Sequence, residues 1–131
     1  MQRQHAPNRA DVVGSFLRPD AIKEARVKFA SGEIDAQQLR AVEDEAIRHV
    51  VEQQCACGLQ VVTDGEFRRA WWHFDFFDGL QGVERYDSNQ GIQFNGVQTN
   101  AHGVRVSGKR GSGSHPMLEG FRYLQSVSGK A

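Results

Sequence analysis

The chain has 131 residues, 39% of them hydrophobic and 24% charged, with 16 Lys+Arg against 16 Asp+Glu. That is the composition of one ordinary folded domain over 1–131, long enough to bury roughly two-thirds of its unfolded surface without metal or disulfide staples. Zero net charge excludes the basic footprint of a nucleic-acid or anionic-membrane binder, and the lack of both a long apolar run and a greasy leader predicts a cytoplasmic location.

Residues 1–9 are polar and aperiodic and read as a loose arm. Asp11-Val-Val-Gly-Ser-Phe16 then reads as a short strand ending in a glycine and a serine. Pro19 suits the first position of a helix, because its missing N–H would go unpaired there anyway. That helix runs to about Phe29 and closes at Ser31-Gly32. Asp35-Ala-Gln-Gln38 has the form of a capping box. After it, Leu39, Val42, Ala46, Ile47, Val50 and Val51 fall on one helical stripe, with Arg40, Glu43, Asp44, Arg48 and Glu52 facing away, until Gly58 stops the helix. Leu59-Gln-Val-Val62 suits a strand buried on both faces of a parallel sheet, and it breaks at Thr63-Asp64-Gly65-Glu66. Strand, helix, helix and strand make a crossover unit, which sets two parallel strands side by side.

Beyond Arg68 the pattern changes. Trp71, Trp72, His73, Phe74, Asp75, Phe76, Phe77 and Asp78 crowd together, and most of these aromatics read as core or lid packing. Ile92–Phe94 and Val104–Val106 alternate apolar with polar, which predicts an antiparallel hairpin inserted over 91–109. Lys109–Ser114 reads as a Gly/Ser loop, and Pro116 opens a last helix carrying Met117, Leu118, Phe121, Tyr123, Leu124 and Val127.

Ligands of parallel α/β sheets bind at the carboxyl ends of the strands. Two parallel strands would deliver Gly14, Ser15 and Glu66 to the same rim. There the hydroxyl and backbone N–H groups could grip the carboxylate of a zwitterion while Glu66 takes its ammonium. Ser15 serves equally well as a helix N-cap, and Glu66 as a solvated acid paired with Arg68 or Arg69. Asp64 could orient its neighbours, although an Asp bonding its own backbone in a turn fits better. His73 and Asp75 could form a general-base pair, and a planar ligand could stack on the aromatics. His102 and His115 read as surface residues. Cys55 and Cys57, two apart on a helix, point about 200° from each other. They cannot jointly hold a metal, and no other His, Cys, Asp and Glu set has ligand spacing, so no metal site is expected within the chain.

Arg9-Ala-Asp-Val-Val-Gly-Ser-Phe-Leu-Arg-Pro19, Val61-Val-Thr-Asp-Gly-Glu-Phe-Arg-Arg69, Trp72-His-Phe-Asp-Phe76 and Leu80-Gln-Gly-Val83 together resemble the opening of the short, single-barrel cobalamin-independent methionine synthases. The resemblance runs over essentially the whole chain. It implies an α/β fold, the first two β/α units of a (β/α)8 TIM barrel. The implied reaction transfers a methyl group from methyl-tetrahydrofolate to homocysteine, whose thiol the family holds as a thiolate on zinc. It also implies that Gly14 and Ser15 belong to the homocysteine backbone site and that Glu66 binds the amino group; Asp64, Trp72, His73 and Asp75 read beside them as lid or supporting positions.

The family's zinc ligands, one His, two Cys and a Glu, lie on later strands, and Cys55 and Cys57 do not match them. A full barrel takes about 250 residues, so the resemblance points to a truncated form. Without zinc the thiol keeps a pKa of about 8.5 and is mostly protonated. The isolated chain is therefore expected to bind homocysteine or methionine weakly and to catalyse no transfer. Two alternatives stand beside this. One is a non-catalytic interaction module whose strand edges are covered by a second copy or a complementing chain. The other is a zinc-dependent alkyltransferase acting on a different thiol.

Overall fold

The computed structural model describes residues 11–71, 73–87, 93–94, 97–98, 102–111 and 113–129. Its elements run α1 (Asp20–Ala30), α2 (Ala36–Ala56), α3 (Phe74–Asp78), β1 (Gln81–Asp87), β2 (Gln93–Phe94), β3 (Val97–Gln98), β4 (His102–Gly111) and α4 (Pro116–Ser128), a mixed α/β chain. It divides into two compact units, Met1–Arg68 with Phe121–Ala131, and Arg69–Gly120. None of the described helices is long and apolar enough to cross a membrane. The predicted arm over 1–9 lies outside the described residues.

In the first unit, the capping box forms as its sequence demands. Gln38 N donates to Asp35 Oδ1 at 2.8 Å, and Asp35 N donates to Gln38 Oε1 at 2.9 Å. Pro19 sits just outside α1 in an extended conformation (φ −58°, ψ 151°) and leaves the first turn to Asp20. A carboxylate there meets the positive end of the helix dipole. Ile22 from α1, Ile47, Val50 and Val51 from α2, and Phe67 make the core, joined by Tyr123, Leu124 and Val127.

Glu43, expected to face solvent, is instead 8% exposed. Its carboxylate lies 3.5 Å from Arg26 Nη2 and 3.3 Å from Arg68 Nη1. Arg68 also pairs with Asp44 and places its guanidinium 5.3 Å from the centre of the Tyr123 ring, while the Tyr123 hydroxyl donates to the Asp44 carbonyl at 2.8 Å. Periodicity missed this because a carboxylate tolerates burial only beside cations that other elements bring to it.

Asp11–Phe16 and Leu59–Val62 do not form the two parallel strands expected of them: among the described residues neither carries a ladder. One backbone bond joins the two segments, from Phe16 N to the Gly65 carbonyl at 3.1 Å. Burial on both faces is absent too, since Val13 is 90% and Val61 45% exposed. A strand is a property of its pairing, and an apolar run without neighbours on both sides stays merely extended.

The second segment is instead held by the buried side chain of Gln54, 4% exposed. Its amide nitrogen donates to the Thr63 carbonyl at 2.8 Å and to Val50 O at 3.1 Å, and its oxygen accepts from Thr63 N at 3.0 Å. One amide thus stands in for a neighbouring strand.

In the second unit, β1 pairs antiparallel with β4, Val83 opposite Val106 and Asp87 opposite His102, with an irregularity between Gln81 and Val83 where Gly82 takes φ 73°. β2 pairs with β3, Phe94 opposite Val97. Where a hairpin between Ile92–Phe94 and Val104–Val106 is expected, Gln93–Phe94 pairs with β3 and Val104–Val106 with β1, Ile92 lies outside the described residues, and Lys109–Gly111 belongs to a strand rather than a loop. Residues 91–92, 95–96 and 99–101 of the predicted insertion lie outside the described residues. β1 escaped detection because its residues are half-exposed or exposed throughout, so no apolar alternation marks it. Beside Glu84, the Ser107 hydroxyl and then the Arg105 guanidinium hold its carboxyl below the ordinary carboxylate range. A lowered folded pKa stabilises above the unfolded value, and that stabilisation is lost as pH falls through the folded one.

Replacing Gln54 with Ala takes this partner from the half-buried Thr63 N–H and C=O, and urea unfolding is expected to show a loss of about 2 kcal/mol. Gln54→Glu, which keeps the shape but loses both donors, should be at least as damaging. Asp35→Ala should cost about 1 kcal/mol in the same measurement.

Candidate functional site

The backbone bond from Phe16 to Gly65 decides which residues meet. Gly14 and Ser15 directly precede its donor, and Glu66 directly follows its acceptor. The main chains carrying the hydroxyl and the carboxylate are thereby brought together across fifty-one positions of sequence. Ser15 is exposed and Glu66 half-buried. Gly14 adopts φ 83°, a conformation natural to glycine, and a Cβ there would meet nothing within 4 Å, so the backbone beside Ser15 is open to approach.

The turn that carries Glu66 is fixed from several sides. Gly65 N donates to Thr63 Oγ1 at 3.2 Å, and Glu66 N donates to Asp64 Oδ1 at 2.9 Å, closing an Asx turn. Gly65 is buried with φ 66°, and an added Cβ would lie 3.0 Å from the Phe16 ring and 3.1 Å from that of Phe67. Glu66 follows with φ 56°, alone in positive φ among the described non-glycine residues. Such a conformation costs about 1–3 kcal/mol and persists only where neighbours impose it. Arg18 Nη2 donates to the Glu66 carbonyl at 3.2 Å, and Arg26 Nη2 to the Phe67 carbonyl at 2.8 Å. Neither arginine was a sequence candidate. A guanidinium that bonds a main-chain carbonyl more than forty residues away leaves no spacing signal.

His73, Asp75 and their aromatic neighbours belong to the second unit. Asp75 Oδ2 accepts from Ala70 N at 2.6 Å and Trp71 N at 3.2 Å, and Oδ1 lies 3.6 Å from Arg85 Nη2. These bonds commit the carboxylate to fastening the chain before α3. The His73 ring lies 4.0 Å from that of Phe74. His115, read as a surface residue, is half-buried and also tied into the unit: its Nε2 donates to Phe76 O at 2.8 Å while Nδ1 accepts from Met117 N at 3.1 Å. Trp72 lies outside the described residues.

The first unit also holds an apolar cavity of about 870 Å³, lined by Val12, Leu17, Val42, Ala46, Val50 and Phe67 among others. Neither Ser15 nor Glu66 lines it. Among the described residues no three His, Cys, Asp or Glu side chains group to hold a metal ion, and both cysteines are exposed and free. The donor set here does not fit zinc.

Stability should separate the two turn residues. Gly65→Ala forces a side chain into the left-handed region and against two rings, and should cost about 2 kcal/mol or more in urea unfolding. Glu66→Gly relieves the same backbone strain and should leave the unfolding free energy within about 1 kcal/mol of the parent.

Residues 9–109 match the catalytic domain of the cobalamin-independent synthases. The chain is 53% identical over 131 residues to the uncharacterized protein YxjG of Bacillus subtilis (strain 168), which covers all of this chain and 35% of that protein. It is 32% identical over 71 residues to the 5-methyltetrahydropteroyltriglutamate–homocysteine methyltransferase of Thermotoga maritima, covering 54% of this chain and 10% of that one. A crystal structure from Listeria monocytogenes, provisionally assigned as a vitamin-B12 independent methionine synthase, superposes with a TM-score of 0.75 at 42% identity, over 98% of this chain and 35% of that chain. The chain thus spans about a third of the length of the Bacillus and Listeria proteins. A family match over well more than half of its residues, carrying both turn motifs, makes this chain a member of the cobalamin-independent synthase family, in its catalytic domain.

Proposed function

We propose that this chain supplies the amino-acid end of a homocysteine site in a methyltransferase that makes methionine from homocysteine and a methylated folate. Asp11–Phe16 and Leu59–Val62, extended and without a ladder here, then take the places of the first two strands of a (β/α)8 barrel once neighbouring strands pair with them. In this reading the Ser15 hydroxyl and the backbone N–H groups around Gly14 bind the substrate carboxylate, and the Glu66 carboxylate accepts hydrogen bonds from the substrate ammonium. Transfer forms a sulfur–carbon bond as the nitrogen–methyl bond of the folate breaks. The thiol gives up its proton, and the folate nitrogen leaves with the electron pair and takes one up.

The observation that carries the reading is the Phe16 N to Gly65 O bond, which draws the Ser15 and Glu66 main chains together in a family whose relative in Thermotoga is named for this reaction. No residue of this chain is assigned to making the thiolate.

Calorimetric titration with L-homocysteine tests it. Ser15→Ala and Glu66→Gln should each weaken binding at least ~10-fold, equivalent to about 1.4 kcal/mol. The analogue without an amino group, 4-mercaptobutanoate, should bind the parent and Glu66→Gln equally. Unchanged homocysteine affinity in Glu66→Gln, or no binding to the parent at millimolar ligand, would overturn the assignment.

A second reading rests on Leu17, which lines the apolar cavity and is 90% exposed: that face is covered by a second copy or a complementing chain. Sedimentation equilibrium showing a monomer at every concentration would remove the second copy.

A further inference from the structure

Two arginines from the Ser15 side of the first unit fasten consecutive carbonyls of the turn that carries Glu66. Arg18, three residues beyond Ser15, donates to Glu66 O at 3.2 Å. Arg26, on α1, donates to Phe67 O at 2.8 Å. The residue so held is the one non-glycine in the described chain with a left-handed backbone. A side chain normally drifts out of that region, so something must oppose the drift, and the bonds at its N–H and C=O act directly on the two torsions concerned.

The N–H bond to Asp64 is local, whereas the carbonyl bond from Arg18 crosses to the segment that bears Ser15. Arg18 is half-buried, which strengthens a charge-assisted bond relative to one in open solvent. Arg26 makes a poorer probe of the same effect, since its guanidinium also serves the buried Glu43 and its loss would disturb the core.

We infer that Arg18 is a positioning residue: by holding the Glu66 carbonyl it keeps Glu66 in its left-handed conformation, and so fixes the Glu66 carboxylate relative to Ser15. Only what the carboxylate binds rests on the homocysteine reading. The hold itself does not. A pocket for a zwitterion needs its anion-binding and cation-binding ends at a set separation, and one side chain that originates at the first end and grips the backbone of the second sets it directly.

Amide hydrogen exchange and the HN–Hα coupling of Glu66 are to be measured in the parent, Arg18→Met and Arg18→Lys. Arg18→Met should speed exchange of the Glu66 amide at least ~10-fold and move the coupling away from its left-handed value, with α2 amides unchanged; Arg18→Lys should recover part of the protection. L-Homocysteine affinity should fall in Arg18→Met while 4-mercaptobutanoate affinity does not, a split that general loss of structure would not produce. If Arg18→Met leaves the exchange and the coupling of Glu66 as in the parent, the inference is wrong. If both change but the parent binds no homocysteine, the hold stands and the proposed substrate falls.

Discussion

A single side-chain amide carries the architecture of the first unit. Gln54 reaches from the last turn of α2 and closes both main-chain hydrogen-bonding groups of Thr63, as a neighbouring strand would. An extended apolar segment without a ladder must satisfy its backbone by some other means, because a buried orphan N–H or C=O costs about as much as a typical mutation removes. With Thr63 fixed, the turn after it is aimed. Gly65 O then meets Phe16 N, and the carbonyls of Glu66 and Phe67 come within reach of Arg18 and Arg26.

Charge does the complementary work beneath that turn. Glu43, Arg26, Arg68, Asp44 and Tyr123 form a connected polar group spanning α1, α2, the segment after the turn and α4. Buried ion pairs of this kind contribute little net stability, since desolvation offsets most of the attraction. Their effect lies in discrimination, because an arrangement that separates Glu43 from both arginines strands a carboxylate in the core. The helices are thereby held to one register against the turn, and the turn to one place beside Ser15.

The aromatic and charged stretch after Arg68 illustrates a different balance. Asp75 and His73 have the residue types of an acid–base pair, yet the Asp75 oxygens are engaged by two main-chain N–H groups and lie near an arginine. A carboxylate so engaged is structural by its bonds, whatever its neighbours in sequence suggest. His115 shows the converse: isolated in sequence, it joins α3 to the start of α4 through both ring nitrogens, at a place where only a glycine, Gly79, leaves room for the ring.

Much was legible in the residues alone, wherever the cause is local. The capping box at Asp35, the stripe from Leu39 to Val51, the stop at Gly58 and the helix after Pro116 follow from interactions within a turn or two, and the two turn motifs carried the family. The sequence by itself could also name Gly14, Ser15 and Glu66 as chemically interesting. The tertiary structure alone decided that Glu43 is buried, that Val106 faces Val83, that Thr63 pairs with a glutamine rather than a strand, and that Arg18 and Arg26 reach the Glu66 turn. Each of these depends on a partner far along the chain, and long-range contact is set by how whole elements pack, which no local period encodes.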